Sequence, residues 1–137
     1  MSDLAGDGTN NIYIVSVSDV STPTQISLSA ETANTSNEPD WSSNGAIVYS
    51  ANPNGDGNRE IYRRNSDGTE IRLTNNGVND SIPRWSRDGS QIYYTSNLAT
   101  DGSGGAADLS VYVMNADGSG QTPVTGGGAD EANGDTR

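Results

Sequence analysis

Histidine and cysteine are both absent from the 137 residues. That removes a His-containing catalytic triad, a Cys nucleophile, a disulfide framework and the common zinc sites. Lysine is missing too: all seven basic residues are Arg, at positions 59, 63, 64, 72, 84, 87 and 137. Set against 18 acidic residues, they leave a net charge of −11. A basic surface for nucleic acid or for an anionic membrane is therefore not expected. Apolar residues make up only 31% of the chain, against roughly 45–50% in an ordinary globular domain, so any core must be thin or divided into layers. No run approaches the roughly 18 apolar residues that span a bilayer. The start, Met1-Ser2-Asp3, has no basic patch or apolar stretch, and no signal peptide is expected in this chain. An acidic, Lys-free composition rich in Asn, Ser, Thr and Gly suits an extracellular or salt-exposed protein.

Low hydrophobicity with high net charge is also the composition of disorder, but the apolar residues are placed too regularly for that. Ile12-Tyr13-Ile14-Val15, Ile47-Val48-Tyr49, Ile61-Tyr62, Ile71-Arg72-Leu73-Thr74, Ile92-Tyr93-Tyr94-Thr95 and Val111-Tyr112-Val113-Met114 are short β-branched and aromatic runs separated by Gly, Asn, Asp and Ser. Helical periodicity appears nowhere over a useful length. The fold class is all-β.

A repeat organises these runs. Pro39-Asp40-Trp41-Ser42-Ser43-Asn44-Gly45 aligns with Pro83-Arg84-Trp85-Ser86-Arg87-Asp88-Gly89, the two Trp 44 residues apart. Glu60-Ile61-Tyr62-Arg63-Arg64-Asn65-Ser66-Asp67-Gly68 aligns with Ser110-Val111-Tyr112-Val113-Met114-Asn115-Ala116-Asp117-Gly118 at a spacing of 50. A third copy, Asn11 to Asp19, precedes the first of these by 49 and has Val20 in place of the Gly. Each unit parses into four strands joined by Asn-Gly or Asp-Gly turns, which tolerate the positive φ that a tight hairpin needs. Four antiparallel strands recurring every 40–50 residues or so describe a β-propeller blade.

These residues resemble the TolB-type propeller repeat, whose consensus runs Pro-x-Trp-Ser-Pro-Asp-Gly, then an Ile-Ala-Phe-like strand, then Ile-Tyr-Val-Met-Asn-x-Asp-Gly, then Leu-Thr. The likeness extends from about Asp7 to Thr125. Ser43 and Arg87 depart from the consensus Pro, and the first unit lacks the Asp-Gly turn. The phase predicts a partial blade over about 7–29, blades over about 38–75 and 82–126, and a disordered or strand-completing tail at 127–137. Propellers close with 4–8 blades, so two and a half blades imply part of a longer propeller or a homo-oligomer in which open blades complete one another.

Several residues are candidates for function. Trp41 and Trp85, with Tyr13, Tyr62 and Tyr112 that lead the third strands, are expected to pack between blades rather than to form a ligand platform. Asn52, Asn54, Asp56 and Glu60 fall at positions 1, 3, 5 and 9 of a segment with Gly57 at 6, the oxygen spacing of a calcium loop. Asp56 and Glu60 are its only charges, and TolB-type repeats carry Asp-Gly-Asn before Ile-Tyr simply as a turn, so the turn is favoured and calcium kept as the one candidate cofactor. Asp3, Asp7, Gly8 and Asn11 form a degraded copy. The Gly-rich stretch 101–108 lacks the residues of a phosphate loop and reads as a surface excursion, and no nucleophile elbow occurs. The sequence does not single out a carboxylate pair for glycoside hydrolysis. Arg59, Arg63, Arg64 and Arg72 cluster on one blade and are expected to make local ion pairs. The resemblance implies a non-catalytic scaffold, periplasmic or extracellular, that binds a protein or peptide. Its alternatives are the substrate-gating propeller of a serine-peptidase-type enzyme and a self-assembling structural protein.

Overall fold

The computed structural model describes residues 10–26, 36–98 and 109–124. Ten strands form three antiparallel sheets. The first is a pair, β1 (Tyr13–Ser16) and β2 (Asp19–Gln25). The second is a meander of β3 (Ser36–Trp41), β4 (Ile47–Ala51), β5 (Glu60–Arg64) and β6 (Glu70–Arg72). The third repeats it with β7 (Asp80–Trp85), β8 (Gln91–Ser96), β9 (Ser110–Asn115) and β10 (Thr122–Pro123). One backbone bond recurs in all three, Ile26 to Ile12, Leu73 to Ile61 and Val124 to Val111, each N–H donating to the carbonyl. The β1–β2 pair is thus the outer half of a blade, and the other sheets are whole blades.

The turns work differently from the expectation. Asn44, Asp67, Asp88 and Asp117 are not among the residues with positive φ; the left-handed position belongs to the following Gly, with φ from 72° to 90° at Gly45, Gly68, Gly89 and Gly118. Each Gly N–H closes a turn onto the carbonyl three residues back, while the Asn or Asp side chain accepts the N–H two residues on. This is a type I turn followed by a left-handed residue, with an acceptor side chain where one donor is otherwise unpaired.

Alternation along the strands supplies two thin cores, as the low apolar content requires. Val48, Ile61 and Leu73 of the second sheet meet Ile92, Tyr94, Tyr112 and Met114 of the third. Ile12 and Ile26 of the first meet Ile47, Tyr49, Ala51 and Tyr62 of the second. Paired tyrosines brace each whole blade, Tyr49 with Tyr62 at 5.8 Å and Tyr94 with Tyr112 at 5.7 Å. The junctions share a clamp, since Ser36 N–H donates to Asn10 O and Asp80 N–H to Arg59 O, both at 2.8 Å.

At the second junction the Gly118 turn sits directly on Leu73. A Cβ at Gly118 would lie 3.2 Å from the Leu73 carbonyl oxygen, whereas one at Gly68 would meet only the far end of Arg64. Gly118→Ala is expected to lose about 2–3 kcal/mol and Gly68→Ala about 1–2, because both put Ala in a left-handed conformation but only the first presses it against backbone. Urea denaturation of the two variants measures the difference.

Candidate functional site

The two junctions have the same backbone but different side chains at their mouths. At the second, the Arg63 guanidinium lies over the Trp85 ring, 5.8 Å from its centroid, and Arg63 Nη1 donates to Ala116 O at 2.8 Å. The indole is half-buried and packs on the core. At the first junction the residue in register with Arg63 is Ile14, too short to reach across. Trp41, in register with Trp85, is 60% exposed. Beside it opens an apolar cleft of about 300 Å³, lined by Ile12, Ile14, Ile26, Pro39, Trp41 and Ile47 among others. Trp85 therefore meets the packing expectation and Trp41 departs from it: nothing described covers its outer face. Tyr62 and Tyr112 are buried, and Tyr13 is half-buried with its hydroxyl donating to Gln25.

Two carboxylates cross from blade to blade. Glu38 Oε2 accepts the Ile82 N–H at 2.8 Å and the Ser50 hydroxyl at 3.0 Å, and Asp40 Oδ2 accepts the Trp85 N–H at 2.7 Å. Both lie on β3, beside β7. Glu38 and Ile82 occupy the same bulge in successive blades, with left-handed φ of 58° and 52°. Such backbone costs a β-branched residue about 1–2 kcal/mol, and a charge-assisted bond offsets it. Sequence reading missed both acids because they precede and interrupt the Pro-x-Trp motif. The signal was available in the alignment, which sets Glu38 and Asp40 against Ile82 and Arg84.

The residues with calcium-loop spacing have other engagements. Glu60 is 2% exposed. One of its oxygens accepts from Arg72 Nη2 at 2.8 Å and the other from the Thr74 hydroxyl at 2.6 Å. Asp56 is exposed and accepts the Asn58 N–H. Asn52 Oδ1 is buried without a partner, as is Asn97 Oδ1 at the corresponding end of β8. No group of three or more His, Cys, Asp or Glu able to hold a metal occurs among the described residues. Because Arg72 and Thr74 hold Glu60, millimolar calcium is expected to leave Tm unchanged. A rise in Tm would mean that Glu60 exchanges Arg72 for the cation, since a ligand of the native state alone must stabilise it. Of the Arg cluster, Arg72 forms an ion pair and Arg63 caps Trp85. Residues 101–108, the tail at 127–137 and the positions Asp3, Asp7 and Gly8 lie outside the described residues.

The carboxylates divide by environment. Asp19, Asp67, Asp88 and Asp117 are held below the usual value of 3.8, chiefly by hydroxyl donors from Ser21, Thr69, Ser86 and Ser119 respectively, and Asp88 is lowered to about 2. Asp80 is raised, first by burial, although Ser96 and Asn76 donate to it. A depressed carboxylate contributes stability that is present above the unfolded value and is lost as pH falls through the folded one. A raised carboxylate does the opposite, its penalty relieved as pH falls towards 3.8. Acidification from about pH 7 to about 4 is therefore expected to hold or raise Tm through Asp80, and further acidification towards about pH 2 to lower it through the turn aspartates. Asp80→Asn should flatten only the upper part of a Tm-against-pH curve.

No family model and no curated protein matches the chain. Solved structures do. A putative TolB from Agrobacterium tumefaciens superposes with a TM-score of 0.67 at 23% identity, over 86% of this chain and 38% of that one. TolB from Acinetobacter baumannii superposes with a TM-score of 0.58 at 23% identity, over 78% of this chain and 25% of that one. The chain thus spans well under half the length of either. Together with the all-β meanders, their repeated turns and their shared junction geometry, these matches show that the chain has a TolB-like β-propeller fold, present as part of a ring.

Proposed function

We propose that the chain is a non-catalytic binding module that recognises a protein or peptide, and that it works outside the cytoplasm. The cleft beside Trp41 carries this reading. It offers an exposed indole, a recess lined mainly by Ile and no convergent set of charged groups, which is the chemistry of recognition by burial. The two buried carboxylates support it as well, because Glu60 and Asp80 are both occupied by donors within the sheets. The acidic, Lys-free composition and the TolB-like fold support the location.

Selection from a displayed peptide library against the immobilised chain, followed by titration in solution, tests the reading. Saturable binding with a Kd in about the micromolar range, weakened by Trp41→Ala, and recovery of the peptide at unchanged mass are expected. Peptides that are recovered cleaved, or the failure of every selected peptide to bind in solution, would overturn it.

A further inference from the structure

The second junction shows what fills the place left open at the first. There Val48, on β4, packs into the core under Trp85, while β4 pairs with β5 in the register Val48 to Arg63, Tyr49 to Tyr62 and Ser50 to Ile61. In the first sheet β1 takes the part of β5, and among the described residues it is paired on one side only, to β2. A strand in the place of β4, and a second in the place of β3, have no counterpart there. The cleft lies on that side of the sheet, and its wall includes Ile14, in register with Arg63. An unpaired strand edge beside an apolar recess is what strand addition uses: the main chain supplies binding and alternate side chains supply specificity.

We infer that the outer edge of β1 and the Trp41 cleft together form a docking site for one β-hairpin of polypeptide, bound by antiparallel strand addition. This rests on the peptide-binding reading above and names its site and partner class. The established junction specifies the partner's chemistry. The strand beside β1 carries a small β-branched residue opposite Ile14, an aromatic residue opposite Tyr13 and a small residue opposite Ile12, following Val48, Tyr49 and Ser50. The strand beyond it carries two carboxylates separated by one residue, following Glu38 and Asp40, which cap N–H groups of the next blade's inner strand. The groups they would meet are the N–H of Glu38, in the same left-handed bulge as Ile82, and that of Trp41.

A second whole copy does not fit. Pairing β1 to β1 about a two-fold axis would keep both copies' second sheets on one face of the new sheet. The β3–β4 half of one copy and the β5–β6 half of the other would then claim the same space. A whole blade laid against Trp41 would collide with the β1–β2 pair already there.

The test uses a cyclised peptide with the sequence of residues 36–51, which holds all the specified side chains, its Trp replaced by Phe. Titrated into the chain, it is expected to bind with a Kd of about 10–100 µM, to blue-shift Trp41 emission and to form a one-to-one complex. The same peptide with Gln and Asn for its two acids should bind several-fold more weakly. In the chain, Ile14→Arg reproduces the side chain that caps Trp85 and should weaken binding at least about tenfold without loss of Tm. Trp41→Ala, at an exposed position, should do the same by calorimetry. No saturable binding at millimolar peptide would overturn the inference, as would equal binding by Ile14→Arg and the parent chain. Doubling of the chain's own mass, abolished by Ile14→Arg, would also overturn it, in favour of a second copy. Library peptides that bind unaffected by Ile14→Arg would sink this site while leaving the broader function standing.

Discussion

Replacing Glu38 and Asp40 together by Ala is expected to lower the unfolding free energy by about 2–4 kcal/mol, without change to either sheet's internal pairing. The two carboxylates receive three hydrogen bonds, two of them from the backbone of the next blade. Bonds to a charged acceptor contribute about 1.5–3 kcal/mol each when buried, and less here because both acids are half-exposed. Their loss leaves the Ile82 and Trp85 N–H groups facing the junction and removes the bond that offsets the left-handed Ile82. Glu38→Gln with Asp40→Asn keeps an acceptor at each place and should cost about half as much. Urea denaturation checks both, and native-state hydrogen exchange gives a sharper signature. Protection should fall first at Ile82 and Trp85 and not at Tyr94 or Tyr112, in the interior of the same sheet. A double Ala variant within about 0.5 kcal/mol of the parent, the range of ordinary surface changes, would show that the apolar core alone holds the blades together.

Glu60→Ala is expected to cost about 3 kcal/mol, the largest effect of any single polar substitution proposed. Its carboxylate is held by Arg72 and Thr74, and the Thr74 hydroxyl in turn accepts the Ile61 N–H at 2.9 Å, in the middle of the larger core. Removing one member of a buried pair leaves the other charge without compensation, at about 3–5 kcal/mol. The lower end applies because the Arg72 side chain keeps 34% exposure and its Nε still donates to Thr74 O. Glu60→Gln retains an acceptor for Thr74 and should cost about 1 kcal/mol. The pairing also bears on calcium. A residue that supports the sheet from within is not at hand to ligate a cation in the adjacent turn.

Much of the fold was legible because the repeat writes it twice. Pro83 to Gly89 and Ser110 to Gly118 echo earlier segments so closely that the four-stranded unit, its phase and the half-blade at the start follow from alignment. The turn mechanism was read less accurately. Asp-Gly and Asn-Gly pairs mark the hairpins, but the dipeptide does not say which residue takes the left-handed position. The backbone gives that position to Gly alone and uses the acid as an acceptor. The candidate site was harder to read still. Trp41 and Trp85 are indistinguishable in sequence, and they differ in exposure because of what stands across the junction from each, Ile14 in one case and Arg63 in the other. Those residues lie 27 and 22 positions away along the chain.

By itself the sequence determined the strand count, the four-strand period, the β class and the exclusion of His and Cys chemistry, because these depend on residue type and spacing along one chain. Only the tertiary structure decided that Glu60 belongs to an ion pair, that Glu38 and Asp40 bridge two blades, and that one Trp is capped while its twin borders an open cleft. Each of these depends on what lies across a junction between sheets, and no local pattern encodes the neighbour that a side chain meets there.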